Sequence, residues 1–168
     1  MSRADISFRE TGGRNSIPTD RWVIGSGTTL AIKAFEPAKM SAANAKYSAI
    51  LLEDADLTIA TDQPMTGIAA HDSNETASAS GYSDQYVPLP DVQWEIKAKS
   101  SAAVDTQSEI DLLRGELYLI DLTSSVFTID TAVSAGTAAF LMVGGDPNRS
   151  TVWFRIRPDA CAFGRASV

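Results

Sequence analysis

His71-Asp72-Ser73 brings the three side-chain types of a hydrolytic triad into one tripeptide. Adjacent residues at a strand end point in different directions, however, whereas a working relay is assembled from distant segments. His71 is the sole histidine and no G-x-S-x-G elbow is present, so acid–base work would rest on one unsupported candidate. It reads as a turn-flanking residue, with a small hydrolase using His71 and nearby carboxylates as the enzyme alternative. Gly25-Ser26-Gly27 lacks the third glycine and the following helix whose N-terminus binds phosphate. A hairpin turn fits better, with Thr28-Thr29-Leu30 resuming a strand. Glu53-Asp54-Ala55-Asp56 gathers carboxylates suited to a hard cation, yet no glycine stands at the sixth position and Leu57-Thr58-Ile59 reads as strand. An acidic hairpin tip is the simpler reading. One cysteine and one histidine exclude a zinc site within the chain, and Cys161 suits a small buried hydrophobe. The residues thus assign no catalytic, metal or cofactor-binding role, and the expectation is a non-enzyme without cofactors.

Recognition chemistry is better represented. In Thr151 to Arg157, Val152, Phe154 and Ile156 share one face of a strand while Trp153, Arg155 and Arg157 share the other. With the aliphatic face inward, an aromatic ring and guanidinium groups stand outward, the composition of an interface hot spot. The alternative buries Trp153 and leaves the arginines in surface ion pairs. Residues 1–18 are polar, with Ile6, Phe8 and Ile17 as scattered apolar anchors. They read as a tail, or as an arm that orders on a neighbour. Ile6-Ser7-Phe8 alternates as a strand added to a neighbour's edge would, and Arg3, Arg9 and Arg14 make this arm basic. Arg3, Ile6, Phe8, Arg9, Arg14, Trp153, Arg155 and Arg157 are therefore the candidate contacts to a partner or sister subunit.

Charge is unevenly distributed. The chain of 168 residues carries a formal net charge of −7. Residues 1–39 carry six cations against four carboxylates, and four arginines from Arg149 onward face only Asp159. The middle, 40–148, holds sixteen carboxylates against four cations. An acidic body repels a phosphate backbone, which argues against nucleic acid, while basic ends suit an acidic partner surface; an ordinary solvated acidic surface is the alternative. No signal-peptide core or membrane-spanning run is evident, which leads to the expectation of a protein made in the cytoplasm.

The elements that position these residues are short and mostly β. Strands are expected at Arg21 to Ile24, Leu30 to Phe35, Tyr47 to Leu52, Thr66 to Ala70, Tyr82 to Val87 and Val92 to Lys99. Further strands are expected at Glu116 to Leu122, Val126 to Asp130, Ala138 to Val143 and Thr151 to Arg157. Val92, Trp94, Ile96 and Ala98 form a core face opposite Gln93, Glu95, Lys97 and Lys99. Leu117 to Ile120 and Phe140 to Val143 are apolar on both faces and need cover, and Gly144-Gly145-Asp146-Pro147-Asn148 reads as a turn. One helix interrupts the pattern at Gln107 to Arg114. Thr106 and Glu109 form a capping box, Ile110 and Leu113 an apolar face, and Gly115 a left-handed stop. The expected fold is all-β and mainly antiparallel, a small barrel or sandwich with one short α-helix, in which residues 1–18 are an arm and 19–168 the β-domain.

Leu30 to Ala160 also carries an ordered series of short motifs. They are Ala34-Phe35-Glu36-Pro37, Asp62 ahead of Thr66-Gly67-Ile68-Ala69, Asp72-Ser73-Asn74-Glu75-Thr76-Ala77, and Pro88-Leu89-Pro90. Lys97-Ala98-Lys99-Ser100, Asp105-Thr106, Asp121-Leu122-Thr123, Thr128-Ile129-Asp130 and Gly144-Gly145-Asp146-Pro147 follow. In this order they resemble the head decoration, or capsid cement, proteins of tailed bacteriophages. The resemblance implies a β-barrel on the outer surface of an assembled capsid, a dimer or trimer that secures neighbouring major capsid protein subunits, with no catalytic residues. The basic arm departs from the shorter members of that family. A tail or host-surface barrel that stacks glycans on Tyr82 and Tyr86 is the alternative.

Overall fold

The computed structural model describes residues 6–10, 12–13, 15–26, 31–41, 49–52, 64–123, 126–134 and 136–162. Arg3, Arg14, the acidic run Glu53 to Asp56 and the strand expected to follow it lie outside them, as do Thr28-Thr29-Leu30 and Asp62. Strands β1 (Ser7–Glu10), β2 (Thr19–Ile24), β3 (Pro37–Met40), β4 (Ala49–Leu51), β5 (Met65–Ala69), β6 (Gly81–Tyr86) and β7 (Gln93–Lys97) precede helix α1 (Gln107–Leu113). After it come β8 (Leu117–Thr123), β9 (Val126–Ser134), β10 (Phe140–Asp146) and β11 (Thr151–Ile156). They form a six-stranded sheet in the order β1-β7-β11-β10-β8-β9 and a five-stranded sheet in the order β2-β6-β5-β3-β4. All paired strands run antiparallel. Among the described residues the fold is all-β with one short α-helix.

Alternation decides which side chains meet. Val92, Trp94 and Ile96 are fully buried, as are Val152, Phe154 and Ile156 on the neighbouring strand. The two sheets share one hydrophobic core. They join at an aromatic cluster in which Phe8 of β1 lies 4.4 Å from Trp94 of β7 and 4.7 Å from Tyr86 of β6, ring centre to ring centre. The capping box of α1 is formed, with Thr106 Oγ1 accepting from the Glu109 N–H and Glu109 reaching back to the Thr106 N–H. Ile110 is buried against Gly145, and Gly115 at φ 88° ends the helix. A helix this short owes its stability to that packing.

Beyond β7, Ala98 makes a parallel bridge to Ile129 of β9, and the Lys99 N–H donates to the Ile129 carbonyl at 2.9 Å. Lys99 Nζ then sits 2.7 Å from buried Asp121 and 2.9 Å from Asp130. The hydrogen bond from Lys99 holds the Asp130 carboxyl below its usual range. Because Asp130 titrates lower in the folded chain than in the unfolded one, its ionised form stabilises the fold above about pH 3.9. That contribution is lost as pH falls through the lower folded value. Asp130→Asn is expected to be less stable than wild type at neutral pH and to lose less on acidification, as read by denaturant titrations between neutral and acid pH. Parallel acid limbs for the two proteins would contradict this role.

Three segments differ from the sequence expectation. From Ala31 to Phe35 there is no strand, because the backbone N–H groups are taken by side chains from elsewhere. Asp72 Oδ1 accepts from Ala34 N–H at 2.8 Å, Glu36 Oε2 from Lys33 N–H at 2.8 Å, and Ser73 Oγ from Ile32 N–H at 3.0 Å. Phe35 adopts φ 63°, and its N–H donates to Ala69, so the strand starts only at Pro37. The segment read as an arm supplies β1, which pairs with β7 of this same chain, with Ile6 and Ile17 buried in the core. Gly144, Gly145 and Asp146 belong to β10, and the turn is the single 3-10 turn Pro147–Arg149 beyond them.

Candidate functional site

Two members of the hydrolase-like tripeptide, Asp72 and Ser73, hold backbone. His71 is exposed, Asp72 binds Ala34 N–H and Lys33, and Ser73 Oγ donates to the Ile32 carbonyl at 3.0 Å while accepting from the same residue's N–H. The hydrogen bond from Ala34 chiefly, and Lys33 after it, hold the Asp72 carboxyl low. These contacts strap the 31–36 segment to the five-stranded sheet. Among the described residues no cluster of three or more His, Cys, Asp or Glu could hold a metal ion, and no helix is long and apolar enough to cross a membrane.

The outward face of the six-stranded sheet gathers most of the described candidates. On β11 the fully buried Val152, Phe154 and Ile156 alternate with half-buried Trp153 and Arg155, followed by Arg157. Trp153 lies opposite Glu95 of β7 on one side and Gly144 of β10 on the other. A Cβ on Gly144 would approach Trp153 Cε3 to 2.8 Å, so the indole lies flat across a strand that must carry glycine there. Arg9 is the extra residue of a β-bulge, since Phe8 pairs with Trp94 and Glu10 with Gln93. Bulges re-aim side chains, and here the Arg9 guanidinium stands 4.4 Å over the Trp153 ring. Such a cation–π contact contributes on the order of 0.5–1 kcal/mol at an exposed site.

The other candidates divide. Ile6 and Phe8 are committed to the chain's own core and aromatic cluster. Arg157 is held by Asp159 at 2.5 Å and by the Gly136 carbonyl at 3.1 Å. Arg155 lies opposite Leu141, which lies opposite Leu117, so the arginine borders a half-buried aliphatic strip. Glu95, placed by alternation on the wet face, is only 6% exposed. Arg149 Nη1 pairs with its Oε1 at 2.6 Å, a charge contact without the alignment of a hydrogen bond. Sequence reasoning gave Glu95 only a wet face, Arg149 only the start of a basic end and Gly144 only a turn; two glycines directly ahead of Asp146-Pro147 were the available signal for a large ring lying over the strand.

A second exposed feature lies on the five-stranded sheet. Tyr82 is 52% exposed, and the Arg21 guanidinium stands 5.6 Å from its ring centre. Arg21 is held in place by a two-point pair with Asp84 at 2.7 and 3.1 Å, and this hydrogen bonding keeps the Asp84 carboxyl low.

Comparison of the chain with models of known protein families and with curated protein sequences finds no match.

Proposed function

We propose that this chain is a structural virion protein that binds the outer surface of an assembled tailed-bacteriophage capsid and stabilises contacts between major capsid protein subunits. The reading rests on the motif order shared with head decoration proteins. On the structural side, the observation that favours it is the Arg9–Trp153–Arg155 face, a basic, aromatic-centred surface on a well-packed sheet. On this reading β7, β11, β10, β8 and β9 close as a small barrel through the Ala98–Ile129 bridge with β1 outside the ring, and copies of the chain assemble as dimers or trimers on the shell, made in the host cytoplasm. A cement protein favours the assembled state because it binds neighbouring subunits together better than apart. Modest contacts suffice when many copies act across a lattice.

A tail or host-surface module that stacks glycans is the second reading, favoured by half-exposed Tyr82 beside Arg21. The experiment that separates the two is sedimentation with assembled shells, free capsid subunits and host-surface glycans. Decoration predicts association with shells alone.

A further inference from the structure

We propose that the Arg9–Trp153–Arg155 face receives a carboxylate side chain from an acidic, extended segment of a partner protein. The inference deepens the docking reading above and rests on it for the identity of the face, but its test needs no shell, so the two can fail separately.

Unmet hydrogen bonding carries the argument. Trp153 Nε1 and Arg155 Nε are both buried and have no hydrogen-bond partner. Both atoms are donors only, so nothing but an acceptor satisfies them. They stand two residues apart on the same face of β11, one on each side of inward-facing Phe154. Over Trp153 lies Arg9, which is exposed and has no carboxylate paired with it among the described residues. The one carboxylate directly opposite Trp153, Glu95, faces Arg149 Nη1 at 2.6 Å, although its Oε1 has no hydrogen bond. Arg9, Arg149 and Arg155 thus outnumber Glu95 on this face, and an incoming carboxylate balances the charge and reaches the indole donor by drawing Arg9 off the ring.

Charge and shape select the occupant. One half-buried ring is not the series of aromatic platforms on which single-stranded nucleic acid stacks, whereas the local cations Arg9 and Arg155 beside it suit a single anionic side chain. A protein segment fits better, because Leu141 and Leu117 continue the row from Arg155 and suit an aliphatic neighbour of the acidic residue.

The test uses the full chain labelled with nitrogen-15 and a blocked oligo-glutamate peptide, with matched oligo-glutamine and oligothymidylate as comparators. Trp153→Phe identifies the Trp153 indole N–H resonance. Oligo-glutamate is expected to move that resonance, and raised salt to weaken the effect. Arg155→Gln should weaken binding about tenfold, the scale of one charge-assisted hydrogen bond. Arg9→Gln should weaken it as well, while the remaining resonances show that both variants stay folded. An unmoved resonance, an equal response to oligo-glutamine, or tighter binding of oligothymidylate would overturn the proposal. Self-association that Arg155→Gln abolishes, with no response to the peptide, would assign the face to a second copy and overturn it too.

Discussion

Replacing Trp94 with alanine is expected to lower the unfolding free energy by about 3–5 kcal/mol, the range for removing a large buried aromatic. Trp94 has no exposed surface and stands where the sheets meet, with Phe8 at 4.4 Å from one sheet and Tyr86 at 6.2 Å from the other. The void would face both layers, so neither could close it alone. Trp94→Phe separates packing from polarity. It removes an indole N–H that has no hydrogen-bond partner while keeping an aromatic ring in place. Its expected cost is well below that of the alanine variant, because most of the ring volume stays in place and the residual cavity is smaller. Denaturant titration of both variants checks the pair, and equal losses would mean that volume is not what Trp94 contributes.

Gly67→Ala is expected to cost at least about 1–3 kcal/mol, the range for overpacking a filled site. A Cβ there would lie 2.5 Å from the Tyr86 carbonyl oxygen and 2.9 Å from Gln85 Cβ. Backbone cannot step aside as a flexible side chain can. The added methyl would press β5 from β6 beside the buried Thr66 to Gln85 hydrogen bond of 2.6 Å. Gly136→Ala is the control, since nothing lies within 4 Å of the place its methyl would take and its φ is not positive. That change should be neutral or stabilising by less than about 1 kcal/mol through the unfolded chain. Thermal denaturation of the two variants provides the comparison, and a Gly67→Ala protein as stable as Gly136→Ala would contradict the packing described.

What could be read from the sequence follows from how local each signal is. The faces of β7 and β11 and the capping box of α1 depend on spacing within one element, and Val92, Trp94, Ile96, Val152, Phe154 and Ile156 are buried as alternation requires. Ala31 to Phe35 is also a short, mostly apolar run of strand-like composition, yet Asp72 and Ser73, some forty residues away, take its backbone groups. That tertiary competition leaves no mark in the segment itself. Ile6-Ser7-Phe8 had the correct strand character, but the edge it joins belongs to this chain, and which edge a strand finds is not a local property. Gly144 and Gly145 look like turn residues because glycine usually marks one. Here they make room for Trp153 and Ile110 within a strand. The candidate face was half legible: Trp153 and Arg155 share a face by period, whereas Arg9 reaches Trp153 only through a bulge in β1.

The proposed role as a capsid decoration protein is tested most directly by sedimenting the purified chain with intact, undecorated shells of a tailed bacteriophage and, separately, with dissociated major capsid protein. The account predicts saturable co-sedimentation with shells, none with free subunits, and reduced occupancy for Arg155→Gln at unchanged folding. Equal association with free subunits, or none with shells under conditions where the chain is folded, would contradict it.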